Sequence, residues 1–169
     1  MGVNQDEQLS AQLAPRDRFR WVLSHVPTTV VVVTAACSDG PAGLAIGSFT
    51  SISLDPPLVG FFPDLSSTSW PRIRSAGRFC VNVLAYDQED VVGAFAKSGG
   101  DKFSGLESRP ARGTGSPILD GAIAWIECEL DDEIRLGDHF LAVGRVLNLS
   151  AERNDPALVF CRGAYTRIA

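Results

Sequence analysis

The stretch GLAIGSFTSISLDPPLVGFF, residues 43–62, mixes apolar side chains with hydroxyl-bearing ones and contains a pair of prolines. Its near-alternation of apolar and polar residues is typical of a β-strand that buries one face. The segment Asp55-Pro56-Pro57 interrupts the strand, because proline has no N–H to donate to a neighbouring strand. The hydroxyl groups either face water or border a ligand that lies along the backbone. Of them, we expect Ser48 alone to contact a ligand.

Composition limits the possible functions. The chain has 169 residues, of which 45% are hydrophobic and 21% charged, as in ordinary globular proteins. Its net charge of −5 argues against nucleic-acid binding, which needs a basic surface. No apolar run reaches the roughly 18 residues of a membrane span. We therefore expect neither nucleic acid nor a membrane as a partner.

The N-terminal residues and the cysteines bear on location. Residues 1–15 contain no Lys or Arg and no continuous apolar segment, which argues against a secretory signal. We expect a mobile tail over residues 1–15 and one domain over residues 16–169. Cys37, Cys80, Cys128 and Cys161 form no C-x-x-C pair, so we expect no metal site. Scattered thiols are typical of a reducing compartment, which predicts a cytoplasmic protein.

The remaining pattern predicts a mainly antiparallel β-fold, a barrel with short helices at its ends. We count about seven strands and three helices, with no βαβ alternation. The first helix is indicated by apolar residues at helical spacing and ends at Pro27, the second lies between Ser67 and Gly77, and the third is capped by Asp87. Residues 101–121 read as one long loop. The acidic side chains at 127, 129 and 131–133 read as a solvated strand edge, and Trp70 and Trp125 as packing residues.

Side chains able to perform catalysis are few. His25 and His139 are the histidines, and no nucleophile or metal-binding motif is present. An enzyme with this sequence would take its reactivity from a cofactor. Ser66–Ser69 precede Pro71 at a helix start, where hydroxyls and amides can hold an anion, although such serines often only cap the helix. Small residues such as Gly43 and Gly47 would let a flat ring approach the backbone.

Several segments occur together in an order that resembles a known family. They are TTVVVVTA, PAGLAIGSFTSISLDPPLV, STSW, GRFCVNVL, FAKSGGDKF, GSPILDGAIAWIEC, GDHFLAVGRV and ALVFCRGAYT. In this combination, over residues 17–167, the chain resembles the flavin reductase family with the FMN-binding split barrel. Members of that family are the small reductase components of two-component flavin-dependent monooxygenases.

The resemblance implies a set of site residues. Those expected to bind flavin are Pro41, Ala42, Gly43, Leu44, Ala45, Gly47, Ser48, Phe62, Pro63, Asp64, Ser67, Thr68, Ser69, Ala94 and Phe95. From their charge alone, and not from the resemblance, Lys102 and also Arg72 and Arg74 could bind its phosphate if they fold nearby. Those expected to bind the nicotinamide nucleotide are His139, Ala157, Leu158, Val159 and Phe160. His139 is the expected catalytic residue. The resemblance also implies a homodimer, FMN or FAD, NADH or NADPH, and a separate monooxygenase that receives reduced flavin.

Three functions remain open from the sequence. The first is an NAD(P)H:flavin oxidoreductase that passes hydride to flavin and releases it reduced. The second is a flavin-holding protein without turnover, such as a sensor or an electron carrier that retains FMN. The third is a degenerate barrel that acts only as a structural dimer partner.

Overall fold

The computed structural model describes residues 12–167, which form three helices and twelve strands. The helices are α1 (Pro15–Leu23), α2 (Trp70–Ala76) and α3 (Glu89–Ala96). The strands are β1 (Thr28–Thr29), β2 (Val31–Cys37), β3 (Gly40–Ile46), β4 (Thr50–Leu54), β5 (Pro57–Phe61), β6 (Arg78–Val83), β7 (Ser108–Pro110), β8 (Pro117–Leu119), β9 (Ala124–Leu136), β10 (His139–Ala151), β11 (Leu158–Cys161) and β12 (Ala164–Arg167). Most of the predicted tail, residues 1–11, lies outside the described residues.

Seven strands form one antiparallel sheet in the order β3-β2-β6-β9-β10-β5-β4. Its two edge strands, β3 and β4, are consecutive in the chain and joined by residues 47–49 alone. A link of that length keeps the ends of β3 and β4 within about 14 Å of each other. The sheet must therefore curl until its edges approach, which is the geometry of a barrel. The prediction of a mainly antiparallel β-fold is confirmed.

The stretch that opened the sequence analysis spans this closure. It contains the C-terminal half of β3, the link, all of β4 and all of β5. The proline segment forms the β4–β5 turn, in which Leu54 pairs with Pro57. The apolar residues of β4 do not form the buried face that the alternation predicts, because Ile52 is 46% and Leu54 90% exposed.

Two smaller sheets complete the fold. Strands β1, β11 and β12 form a three-stranded sheet, and β7 pairs with β8. The loop expected over residues 101–121 therefore contains a short hairpin. Asn82, which is fully buried on β6, holds that hairpin by donating to the carbonyl of Pro117 (3.3 Å) and accepting from the amide of Leu119 (2.8 Å). Buried amide groups of this kind are satisfied because an unpaired one would be costly.

The core lies on both faces of β2, as its β-branched run predicts. Val31 and Val33 pack inside the curved sheet with Phe61, whose ring meets Trp70 and Phe79 edge-to-face at 5.5 Å. Val30 and Val32 pack on the other face against α3 and Leu158. Each fully buried side chain of this size stabilises the fold by about 1.5–3 kcal/mol. Trp70, 1% exposed, is confirmed as a packing residue.

The acidic strand differs from its prediction. Strand β9 is not an edge, because β6 and β10 pair with it on either side. Glu127 on β9 is fully buried, and its Oε1 accepts hydrogen bonds from the amides of Gly113 (2.9 Å) and Thr114 (2.8 Å). The loop before β8 folds over this part of the strand and supplies those donors. Glu129 and Asp131 are exposed, as expected.

Two helix boundaries also differ from the prediction. Helix α1 ends at Leu23, well before Pro27, and none of its residues is buried. Helix α3 has Gln88 at its N-cap position, and Asp87 instead forms an ion pair with Arg153 at 3.5 Å. Helix α2 ends as predicted at Gly77, which has a φ of 69° that suits glycine.

Candidate functional site

A cavity of about 550 Å³ lies where the β3–β4 link, the segment between β5 and α2, and the loop after α3 converge. Its volume is within the range of about 300–1,000 Å³ typical of small-molecule sites. The residues that line it are Thr28, Leu44, Ala45, Ile46, Gly47, Ser48, Phe62, Asp64, Ser66, Ser67, Thr68, Ser69, Phe95, Ala96, Lys97, Ser98, Lys102 and His139. Most of the residues predicted to bind flavin are therefore brought together.

Lys102 supplies a positive charge to the wall of this cavity. Its Nζ donates to the carbonyls of Gly43 (3.2 Å) and Phe95 (3.1 Å) and to Ser69 Oγ (3.1 Å). All three partners are neutral, and no carboxylate within residues 12–167 forms an ion pair with this ammonium group. Burial lowers the pKa of Lys102, because the charged form loses solvation. The arrangement suits an anionic group that can reach the ammonium.

The four hydroxyl-bearing residues before α2, Ser66–Ser69, make different contacts. Ser67 Oγ accepts the amide N–H of Trp70 (3.2 Å), so this hydroxyl supports the first turn of α2. Ser66 donates from both its amide and its hydroxyl to Asp64 Oδ1, each at 2.6 Å. Ser69 is nearly buried and contacts Lys102. Thr68 is exposed and lines the cavity.

A second cavity, of about 580 Å³, adjoins the first. Thr68, Ser69 and Lys102 line both. The other residues of the second cavity are Asp39, Gly40, Pro41, Ala42, Gly43, Arg72, Gly99, Gly100, Asp101 and Phe103. The predicted flavin residues Pro41, Ala42 and Gly43 thus lie here and not in the first cavity.

The glycines of β3 and its link explain how the cavity keeps its shape. A Cβ on Gly43 would lie 2.5 Å from the Phe95 ring, so this glycine is required by the packing of α3 on β3. A Cβ on Gly47 would lie 3.2 Å from Thr28 Oγ1, and both residues line the first cavity. Ser48 Oγ accepts the amide N–H of Phe62 (2.9 Å) and so ties the link to the end of β5.

His139 lies at the rim of the first cavity as the first residue of β10. Its Nδ1 is 2.8 Å from Asp138 Oδ1, and its Nε2 is 3.9 Å from Asp64 Oδ2. The hydrogen bond to His139 holds the pKa of Asp138 below its ordinary value, and the bonds from Ser66 do the same for Asp64. Two carboxylates that stay ionised therefore flank an imidazole whose side chain is 41% exposed.

The structure separates some predicted residues from the cavity. Pro63 is buried beside it, and its carbonyl accepts the amide of Phe140 (2.9 Å). Ala94 lies on α3 beside a different depression. Leu158 and Val159 on β11 are 2% and 4% exposed, and Ala157 precedes them. Phe160 is closer to the site, because it pairs with Thr28, which lines the cavity.

The sequence prediction missed several lining residues. They are Thr28, Ile46, Ala96, Lys97 and Ser98 in the first cavity, and residues such as Phe103 in the second. Thr28 lines the cavity because the fold brings β1 next to it. No local sequence pattern indicates this proximity. Lys97 and Ser98 had a visible signal, since KSGGDK combines two lysines with two glycines directly after a helix.

Two further observations on residues 12–167 concern metal binding and membrane insertion. Within that range, no group of three or more His, Cys, Asp or Glu side chains could hold a metal ion. No helix within it has the length and hydrophobicity needed to cross a membrane.

The chain is similar to proteins of one family. The sequence profile of the flavin reductase like domain matches residues 23–169. A flavin reductase of Pseudomonas putida is 53% identical over 87% of this chain and 86% of that protein. The flavin-dependent monooxygenase reductase subunit HsaB of Mycobacterium tuberculosis is 45% identical over 95% of this chain and 86% of that protein.

A solved structure agrees with these matches. The NADH:FAD oxidoreductase SgcE6 of Streptomyces globisporus, in complex with NAD and FAD fragments, superimposes with a TM-score of 0.87 at 32% identity. The superposition covers 92% of this chain and 93% of that one.

Proposed function

Because this chain belongs to the flavin reductase-like domain family, we propose that it is an oxidoreductase that transfers hydride from NADH or NADPH to FMN or FAD. The fold is the antiparallel split barrel of that family. The observation that carries the assignment to this chain is the first cavity, in which Lys102 places an uncancelled positive charge beside small and hydroxyl-bearing residues.

The residues present fit a flavin. Gly47 leaves room that a Cβ would fill, so a flat ring can approach the β3–β4 link. Lys102 and the exposed Thr68 lie where an anionic phosphate could accept hydrogen bonds. Leu44, Ala45 and Phe95 provide the apolar part of the wall. We assign the flavin site to these residues.

The chain's part in the reaction is to bind and orient. When both are bound, the nicotinamide supplies a hydride and the flavin ring accepts it. Lys102 holds the anionic end, and the β3–β4 link supports the ring through backbone groups. His139, fixed through Nδ1 by Asp138, positions the nucleotide at the open rim. Alignment of two reactants in this way can lower the barrier by several kcal/mol.

We place the nicotinamide nucleotide on the His139 side of the cavity. The exposed ring of Phe160, which is 38% accessible, can contact it because β11 pairs with β1 at Thr28. Leu158 and Val159 act from the core, by fixing the position of β11. Ala157 forms an isolated bridge with Ala85 and anchors the start of that strand.

We extend the proposal to a partner and a location. The similarity to HsaB supports a separate flavin-dependent monooxygenase that takes up the reduced flavin. The four cysteines are free thiols, which favours a reducing compartment such as the cytosol.

We also propose a homodimer. Apolar side chains are exposed on α1 and β4, where Phe19 is 65%, Ile52 46% and Leu54 90% accessible. Apolar surface of this kind is typical of protein interfaces, and a second copy would cover it symmetrically. Sedimentation velocity at micromolar concentration should show a dimer, and a stable monomer would contradict this part of the proposal.

Steady-state oxidation of NADH and NADPH, measured with FMN and with FAD in turn, tests the function directly. We expect flavin-dependent oxidation with at least one pair. Protein that purifies with tightly bound flavin and does not turn over would support the flavin-holding alternative instead. Protein that neither binds flavin nor oxidises the nucleotide would refute the assignment.

A further inference from the structure

On the premise of the proposed function, we infer that Glu133 is a positioning residue for the anionic end of the flavin, and that it acts through the buried indole of Trp70. Glu133 is on β9 and lies outside the walls of both cavities. Its effect on a ligand must therefore pass through the helix that it contacts, α2. Residues 67–69, which line the first cavity, directly precede this helix.

The carboxylate of Glu133 holds two side chains of α2. Its Oε2 accepts the indole N–H of Trp70 (2.7 Å), and its Oε1 accepts a hydrogen bond from Arg74 Nη1 (3.1 Å). Residues four apart on a helix lie on the same face, so one carboxylate reaches both donors. The charge that Arg74 could have lent to a phosphate is thus paired with Glu133, outside both cavities.

Of these two contacts, the one with Trp70 fixes the helix. Trp70 is almost fully buried, and a buried indole N–H needs an acceptor, which is a stronger one when it is ionised. The other edge of the indole is held by the ring of Phe61. By contrast, the Arg74 side chain is 48% exposed, and water weakens an ion pair at such a position.

Trp70 passes this constraint to the hydroxyl-bearing residues before α2. Its amide N–H donates to Ser67 Oγ (3.2 Å). Ser69, its neighbour in the chain, accepts a hydrogen bond from Lys102 Nζ at its own Oγ (3.1 Å). A shift of Trp70 would therefore move these hydroxyls relative to the ammonium group. An anion that contacts both needs them at a fixed separation, since misplacement by a fraction of an ångström weakens such contacts.

The hairpin of β9 and β10 also holds the start of the segment between β5 and α2. The carbonyl of Pro63 accepts the amide of Phe140 (2.9 Å), and the carbonyl of Asp138 accepts the amide of Leu65 (3.0 Å). One hairpin is thus attached to this segment at its start through the backbone and at its end through Glu133. Loss of the Glu133 contact would free the end that carries the hydroxyls, while the start stays attached.

Binding of FMN and of riboflavin, which lacks the phosphate, tests the inference. Fluorescence quenching gives both Kd values, at a temperature where urea unfolding shows each variant to be folded. We expect Glu133→Ala to weaken FMN about tenfold and riboflavin less than about twofold, because only FMN carries the phosphate. Glu133→Gln keeps an oxygen that accepts from Trp70, so it should restore most of the FMN affinity.

Matched substitutions separate this pathway from a general loss of stability. Trp70→Phe keeps an aromatic ring without the N–H and should also weaken FMN, and Glu133→Ala should add little to it in the double variant. Glu129→Ala is the control on the same strand, where the carboxylate faces Arg78 instead (3.9 Å), and neither Kd should change. Arg74→Ala removes the exposed ion pair and should change the FMN Kd by less than about twofold.

Other outcomes would overturn the inference. Equal losses for FMN and riboflavin in Glu133→Ala, or lowered stability with both Kd values unchanged, would show that Glu133 only stabilises the fold. An effect of Arg74→Ala as large as that of Glu133→Ala would contradict transmission through Trp70. If Glu133→Ala does not fold, an unchanged FMN Kd in Trp70→Phe would be decisive against it. Absence of quenching of either flavin by the native chain would instead refute the proposed function itself.

Discussion

The ammonium group of Lys102 lies 3.1 Å from the hydroxyl oxygen of Ser69, and this contact joins two segments 33 residues apart in the chain. Ser69 directly precedes helix α2, and Lys102 follows the glycine-rich loop after α3. Their contact places the positive charge at the wall shared by the two cavities. The first two predictions depend on it.

Replacing Lys102 by methionine should weaken FMN binding by about tenfold or more, because a hydrogen bond to a charged group contributes about 1.5–3 kcal/mol. Riboflavin, which lacks the phosphate, is the matched control ligand, and its Kd should change little. Fluorescence titration measures both. Equal losses for FMN and riboflavin would mean that Lys102 only shapes the cavity, through its bonds to Gly43 and Phe95.

The hydroxyls before α2 should separate into binding and folding roles. Thr68→Ala should raise the flavin KM several-fold at unchanged thermal stability, since Thr68 is exposed and borders both cavities. Ser67→Ala should instead lower the free energy of unfolding by about 0.5–2 kcal/mol, because its hydroxyl accepts the amide of Trp70. Denaturant unfolding and steady-state kinetics distinguish the two. A stability loss in Thr68→Ala with unchanged KM would contradict the assignment.

His139→Ala should lower kcat/KM for the nucleotide by about ten- to a hundredfold while flavin Kd stays nearly constant. In the proposed function the imidazole positions the nucleotide at the edge of the cavity, and hydride transfer needs no proton from it. Asp138→Asn should give a smaller loss of the same kind, because it weakens the bond that orients the ring. Rapid mixing follows flavin reduction directly. An unchanged reduction rate in His139→Ala would leave His139 as a turn residue.

Two glutamates two residues apart on β9 should differ in their effect on stability. Glu127→Ala should lower the free energy of unfolding by about 1–3 kcal/mol or more, because the amides of Gly113 and Thr114 would lose their acceptor. Glu129→Ala, at an exposed position, should change it by less than about 0.5 kcal/mol. Urea unfolding compares them. Equal effects of the two substitutions would mean that Glu127 is solvent-exposed, as the sequence suggested.

The buried cysteines should resist alkylation in the native protein. Burial raises the pKa of Cys80 to about 12 and raises that of Cys128 as well, so their thiolate fractions at pH 8 are very small. The half-exposed Cys37 and Cys161 should react before them, since the thiolate is the reactive species and needs access. Mass spectrometry after iodoacetamide treatment locates the labels. Early labelling of Cys80 or Cys128 would show that the core opens near β6 and β9.

Local patterns predicted the strands because their cause is local. The β-branched run TTVVVVT at residues 28–34, which includes most of β2, and the turn-forming Asp-Gly-Pro at residues 39–41, where β3 begins, each impose a backbone preference without help from distant residues. The same holds for Gly77, which ends α2 because glycine adopts a positive φ at little cost. Gly47 and Ser48 were expected from the resemblance to bind flavin, and the structure brings them into one cavity.

What the sequence by itself determined was thus the mainly antiparallel fold, the family and the segments that build the site. Tertiary structure alone decided that Glu127 is buried, because its donors come from a loop distant in sequence. It alone brought Thr28 into the cavity and placed Arg72 in a second cavity beside the first. A sequence pattern indicates how a residue relates to its neighbours in the chain. Its burial, its charge pairing and its place in a cavity wall depend on which distant segments pack against that residue. Those contacts form only when the sheet closes.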